Sequence, residues 1–168
     1  MDYPADGVVD PRSNSIYLGQ WHHFAGVYSS SDQLLTLVVD GIAVATESYA
    51  GPLLHTSDLY IGSAVFEPDQ ETFNGVIDEI RIWSVARTPE DIRSTMFTQL
   101  SGTESGLIAY WPLNEGAGQV AHDMTSNGND GQLGASPGPD LLDPEWVVID
   151  GWVPVEQSSW GQIKRAFR

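Results

Sequence analysis

Acidic side chains supply most of the chemistry this sequence could offer. Asp78 and Glu79 lie side by side in the apolar run from Phe73 to Trp83. Two carboxylates facing each other ~5–9 Å apart across a cleft can hydrolyse a glycosidic bond. Neighbours on a strand point to opposite faces, so these two cannot form that pair. Asp78 reads instead as a hydrogen-bonded structural acid, and Glu79 as a partner for Arg81 or for a neighbouring strand. No catalytic residue is assigned. A second group, Asp123, Asn127, Asn129 and Asp130, falls in one tight loop. Hard oxygen ligands on a folded loop suit calcium, although the spacing is not that of an EF-hand. Two readings of this loop stay open. It holds Ca2+ through those four residues, or Asn127-Gly128 and Asp130-Gly131 are turn formers with Asp123 capping the loop.

Other chemistries find less support. His22 and His23 are adjacent, so on a strand they cannot share a metal, and His55 and His122 have no ligand partner at helical or hairpin spacing. Gly116-Ala117-Gly118-Gln119-Val120-Ala121 matches a dinucleotide-binding fingerprint. That chemistry requires a following helix, and His122 to Gly131 is too dense in turn residues to form one. There is no Gly-x-Ser-x-Gly elbow.

Composition narrows the classes further. The 168 residues contain 23 Asp and Glu against 7 Lys and Arg, a net charge of −16. Such a chain repels a phosphate backbone, so nucleic acid is not an expected partner. No window approaches the ~18 apolar residues of a membrane helix. The opening Met1-Asp2-Tyr3-Pro4 has no signal-peptide character, and the absence of cysteine removes disulfides and thiolate metal sites.

The elements that position these residues are mostly strands. Gln20 to Tyr28 is apolar on both sides, as in a strand sandwiched between layers. Leu34 to Val39 leads into Asp40-Gly41, a type I′ hairpin turn in which both residues need positive φ, and Ile42 to Ser48 returns. Leu59 to Gly62 starts another strand, and Phe73 to Trp83 is expected to be the longest. A helix follows, with Thr88 as N-cap, Pro89 first and Asp91 closing a capping box; Ile92 and Met96 form its apolar stripe. Leu107 to Leu113 re-enters strand, a turn-rich stretch follows, Leu133 to Asp143 reads as loop, and Trp146 to Val153 is a last candidate strand.

Five blocks in order give the chain a family resemblance. They are Trp21-His22-His23-Phe24-Ala25-Gly26-Val27-Tyr28, the hairpin Leu35 to Val44, Leu59-Tyr60-Ile61-Gly62, the strand and helix from Phe73 to Met96, and Gly106 to Gly116. Together they resemble laminin-G-like, concanavalin A-like lectin/glucanase jelly-roll domains over roughly Gln20 to Leu133. The resemblance implies an all-β, antiparallel jelly-roll β-sandwich with one short helix after the long strand. Its expected extent is 1–153, with 154–168 as a C-terminal tail. Only Met1 to Gly19 precedes the Trp-His-His strand, where the family usually has several strands. A domain truncated at its start and a reduced sandwich are both open, the first favoured because an unfinished sandwich exposes sheet edges. Glycan-cleaving members resemble one another in a Glu-x-Asp-x-x-Glu strand; around Asp78 that spacing gives Val76 and Arg81, so both outer acids are missing.

The resemblance therefore implies a noncatalytic, extracellular or cell-surface binding module, with a glycan or extracellular protein as partner and neighbouring domains in a larger chain. Calcium is common in such sandwiches. The alternatives are a structural spacer of an adhesin-like protein and an accessory domain of a secreted glycoside hydrolase. Sugars stack on exposed rings, and Tyr49, Tyr60 and Phe66, near turns, are the candidate ligand-binding residues. Trp21, Tyr28, Trp83, Tyr110 and Trp111 lie in strands where burial is expected. The ending Trp160 to Arg168, aromatic and basic, is open between a sorting or anchoring signal and a solvated terminus.

Overall fold

The computed structural model describes residues 20–51, 58–62, 73–134, 137–139 and 143–147. Phe66 and the tail 154–168 lie outside them. The described residues are strands in antiparallel sheets with one short helix, so the expected all-β class holds. They divide into two compact units.

The first unit carries β1 (Phe24–Ser29), β2 (Leu34–Val39) and β3 (Ile42–Ser48) in an antiparallel sheet of that order. Asp40 and Gly41 have φ of 50° and 74°, as a type I′ turn demands. The Asp40 carboxylate accepts from the His23 amide at 2.9 Å and lies 2.8 Å from His22 Nδ1, so it ties the turn to the approach to β1. The ladder shifts register between Leu37 and Val38, where β3 has one residue more than β2. The helix α1 follows later in the chain (Pro89–Thr95), with the full Thr88–Asp91 capping box and Pro89 at its start. Ile92 is its buried residue, and a Cβ at Gly41 would come within 2.7 Å of Arg93 Cβ, so only glycine lets the hairpin turn meet the helix.

The second unit holds β4 (Ile80–Trp83), β5 (Leu107–Trp111), β6 (Val120–Ala121) and β7 (Gly131–Gln132). β4 pairs antiparallel with β5, and β6 with β7. Leu100, Leu107 and Tyr110 form one buried cluster against Trp83. Ala109, Trp111 and Ala121 form another against Ile80, Ile82, Leu113, Leu133 and Trp146.

Several expectations need correction. The strand expected over Phe73 to Trp83 shrinks to Ile80–Trp83. Glu79 takes a left-handed φ of 55°, and its amide donates to Asp78 Oδ1 at 2.9 Å, which turns the chain out of the ladder before Ile80. β1 begins at Phe24 rather than Gln20. Leu59 to Gly62 makes no ladder among the described residues, though Phe73 N donates to Gly62 O at 2.8 Å. Trp146 and Val147 are not in strand. Among the described residues no helix follows Gly118, and 119–134 hold only the short strands β6 and β7, so the dinucleotide match is fortuitous.

Candidate functional site

Three groups of side chains bear on function. The first surrounds Glu79 in the second unit. Arg81 Nη2 donates to Glu79 Oε2 at 2.6 Å, and the Tyr110 hydroxyl donates to both Glu79 oxygens at 2.9 Å. Arg81 also stacks on the Tyr110 ring, 5.6 Å from its centroid. The two acting side chains of the ion pair are 8% and 15% exposed. Burial, reinforced by the Glu79 carboxylate, raises the Tyr110 hydroxyl pKa. Arg81 and Tyr110 are direct cross-strand partners, so the cluster fastens β4 to β5. This is the role the spacing suggested for Glu79.

Asp78 differs. Burial first, then the neighbouring Glu79 charge, push its carboxyl pKa up to about 6, against the pull of the Glu79 amide and Arg81. Relative to an unfolded value of 3.8, the native state holds this proton more tightly, so the residue's contribution to stability falls as pH rises from about 4 to about 6. Asp78→Asn is therefore expected to flatten that part of the pH profile. It should raise stability at pH 7 by about 1 kcal/mol, the shift being discounted for half exposure. Urea midpoints of both proteins at pH 4, 6 and 7 test this; a parallel offset at all three would overturn it.

The second group is the loop between β6 and β7. The structure does gather Asp123, Asn127, Asn129 and Asp130. Asp123 Oδ1 accepts from the amides of Tyr110 at 3.1 Å and Thr125 at 2.9 Å. Its Oδ2 accepts from the Thr125 hydroxyl and the Asn129 amide, both at 2.9 Å. Burial raises its pKa, but these donors outweigh it and bring the carboxyl down to about 2. Asp130 Oδ1 accepts from the Asp123 amide at 2.9 Å, and Oδ2 lies 3.2 Å from His122 Nδ1. Asn127 and Asn129 turn their amide nitrogens to the Ile108 carbonyl, at 2.7 and 3.2 Å. Each Asp123 oxygen accepts two hydrogen bonds, so a calcium ion bound to that carboxylate would have to displace protein donors. Among the described residues no group of three His, Cys, Asp or Glu side chains could hold a metal.

The third group lies on the β1–β2–β3 sheet. Cross-strand rows Gly26–Leu37–Ala45 and Tyr28–Leu35–Glu47 share a face. Glycine and alanine on either side of Leu37 leave a shallow trough of about 460 Å³ lined by Gly26, Leu35, Leu37, Ala45 and Glu47, with Thr36 and Thr46. Leu37 and Phe24 are exposed despite their size. The Tyr28 ring meets Tyr49 edge-to-face with centroids 5.9 Å apart, and the Tyr28 hydroxyl donates to Gly51 O at 3.1 Å. Gly51 has no side chain to obstruct the Tyr49 ring, whose hydroxyl would lie 2.8 Å from a Cβ there.

Of the sequence-expected ligand residues, Tyr49 packs on Tyr28, whose β2 partner Leu35 lines the trough, while Tyr60 is exposed in the second unit. Sequence reasoning missed Phe24, Leu37, Glu47 and the exposed Phe73. The small residues Gly26 and Ala45 were the available signal, but facing them requires the register.

The family model for the laminin-G-type concanavalin A-like lectin/glucanases superfamily matches residues 5–93. The chain belongs to that superfamily. Membership identifies its fold class as the superfamily's β-sandwich and agrees with the blocks read from Trp21 into the helix; the fifth block, Gly106 to Gly116, lies beyond the match. A solved structure from Bacteroides ovatus, provisionally named a carbohydrate binding protein, is similar at 29% identity with a TM-score of 0.57. The similarity covers 66% of this chain and 34% of that one, so the chain spans about a third of that protein's length. No curated protein matches significantly. No described helix of this superfamily member is long and apolar enough to cross a membrane.

Proposed function

We propose that the chain is a noncatalytic carbohydrate-binding module whose site is the trough on β1–β2–β3. The observation that carries this reading is the open apolar floor at Leu37, with Tyr28 in the adjoining cross-strand row, Tyr49 packed on Tyr28, and Glu47 as a hydrogen-bond acceptor. Rings stack on the C–H faces of sugars, and a carboxylate accepts their hydroxyls. The similar Bacteroides ovatus protein supports the ligand class. The missing outer acids around Asp78, and the commitment of Glu79 to Arg81 and Tyr110, support a role without catalysis. A net charge of −16 favours uncharged glycans over polyanionic ones. Extracellular or cell-surface placement within a longer protein belongs to the same reading. Calcium is not required by it, because the trough contains one carboxylate and the Asp123 oxygens already hold donors.

Calorimetric titration with neutral oligosaccharides, run with calcium and again with chelator, tests the proposal. Tyr49→Ala is expected to weaken binding about tenfold, roughly the loss of one aromatic contact. Tyr60→Ala is expected to leave it unchanged. The opposite pattern would move the site to the second unit. Binding abolished by chelator would restore calcium to the mechanism.

A further inference from the structure

The loop between β6 and β7 does something that neither turn formation nor metal binding explains. In β5, alternate residues direct their backbone groups to opposite edges: Tyr110 faces Arg81 of β4 as a non-hydrogen-bonded pair, so its N–H and C=O, like those of Ile108, point to the outer edge. Three of the four outward groups, Ile108 O, Tyr110 N and Tyr110 O, meet the loop. Ile108 O accepts from Asn127 Nδ2 at 2.7 Å, the Thr125 hydroxyl at 3.1 Å and Asn129 Nδ2 at 3.2 Å. Tyr110 N donates to Asp123 Oδ1 at 3.1 Å, and Tyr110 O accepts from Met124 N at 2.8 Å. Side chains thus stand where the backbone of another strand would stand. The Asp123 carboxylate is itself held by Thr125 and Asn129, so the arrangement is braced from within.

We propose that Asp123, Thr125, Asn127 and Asn129 form a side-chain clasp that closes the outer edge of β5 against pairing with the same edge of a second copy of this chain. An open strand edge is a template for another strand, and proteins close such edges by design. A second copy is the natural occupant because antiparallel pairing of identical edges around a two-fold axis satisfies both at once.

The test uses the full chain in sedimentation velocity over a range of concentrations, with circular dichroism to verify folding. Asn127→Ala/Asn129→Ala and Asp123→Ala are expected to self-associate at concentrations where the unmodified chain sediments as a monomer. Adding Ile108→Lys should reverse that association, since lysine on an edge strand blocks pairing. Folded variants that stay monomeric would overturn the proposal, as would association that Ile108→Lys leaves untouched. If the double variant fails to fold, the single Asn129→Ala variant, which removes only the 3.2 Å contact, and hydrogen exchange on the unmodified chain decide. The Tyr110 amide should be protected like those of Ala109 and Trp111. Exchange at the rate of exposed loop amides would sink the clasp.

Discussion

Glu79→Ala is expected to lower the free energy of unfolding by about 3–5 kcal/mol, the usual consequence of removing one partner from a buried ion pair. The substitution leaves the Arg81 guanidinium in a site only 8% exposed, and it takes from the Tyr110 hydroxyl both oxygens it donates to. Alanine also gains nothing in the backbone, since φ of 55° is as unfavourable for it as for glutamate. Glu79→Gln keeps an acceptor for Tyr110 and loses only the charge, so its cost should be smaller. The double variant Glu79→Ala/Arg81→Met should recover part of the loss, because the buried charge that lost Glu79 is then gone. Urea unfolding of the set, analysed as a double-mutant cycle, measures the coupling. Additive losses, or a single-variant loss below about 1 kcal/mol, would mean that the cluster is not the fastening between β4 and β5 described above.

The second large effect concerns the extent of the folding unit. The family match ends at residue 93, whereas β4 finds its partner in β5, at Leu107–Trp111. A chain ended after Gln99 would keep Ile80–Trp83 and lose the whole opposing strand, together with Leu100, Leu107 and Tyr110 against which Trp83 packs. An unpaired strand of this length has no independent stability. The shortened chain is therefore expected to lose the cooperative transition of the second unit and to show red-shifted emission from Trp83. Retention of the full-length unfolding midpoint and spectrum would show that β5 is dispensable.

What the sequence made legible is local chemistry. Thr88, Pro89 and Asp91 satisfy the helix N-terminus within one turn, and Asp40-Gly41 accepts positive φ at both positions, so neither needed long-range information. The burial of Tyr110 and Trp111 followed from their place in an apolar run. The shortened β4 was not legible, because the left-handed turn at Glu79 is held by Arg81 and by Tyr110, which lies 31 residues away. The trough was hidden for a similar reason. Gly26 and Ala45 flank Leu37 only in the observed register, and that register shifts within β2. The aspartate and asparagines of the β6–β7 loop were visible as a group, but the asparagines' shared acceptor at Ile108 and the aspartate's donor at Tyr110 lie in a strand well before the loop, too far for spacing to reveal.

The materials of that loop have an evolutionary corollary. A sheet margin covered by another strand can be uncovered only by deleting or moving a whole segment. One covered by amide and carboxylate side chains can be uncovered by a single codon change at Asn127 or Asp123. Lineages that concatenate such modules, or pair them across two chains, would then have a short mutational path between a solitary unit and a joined one.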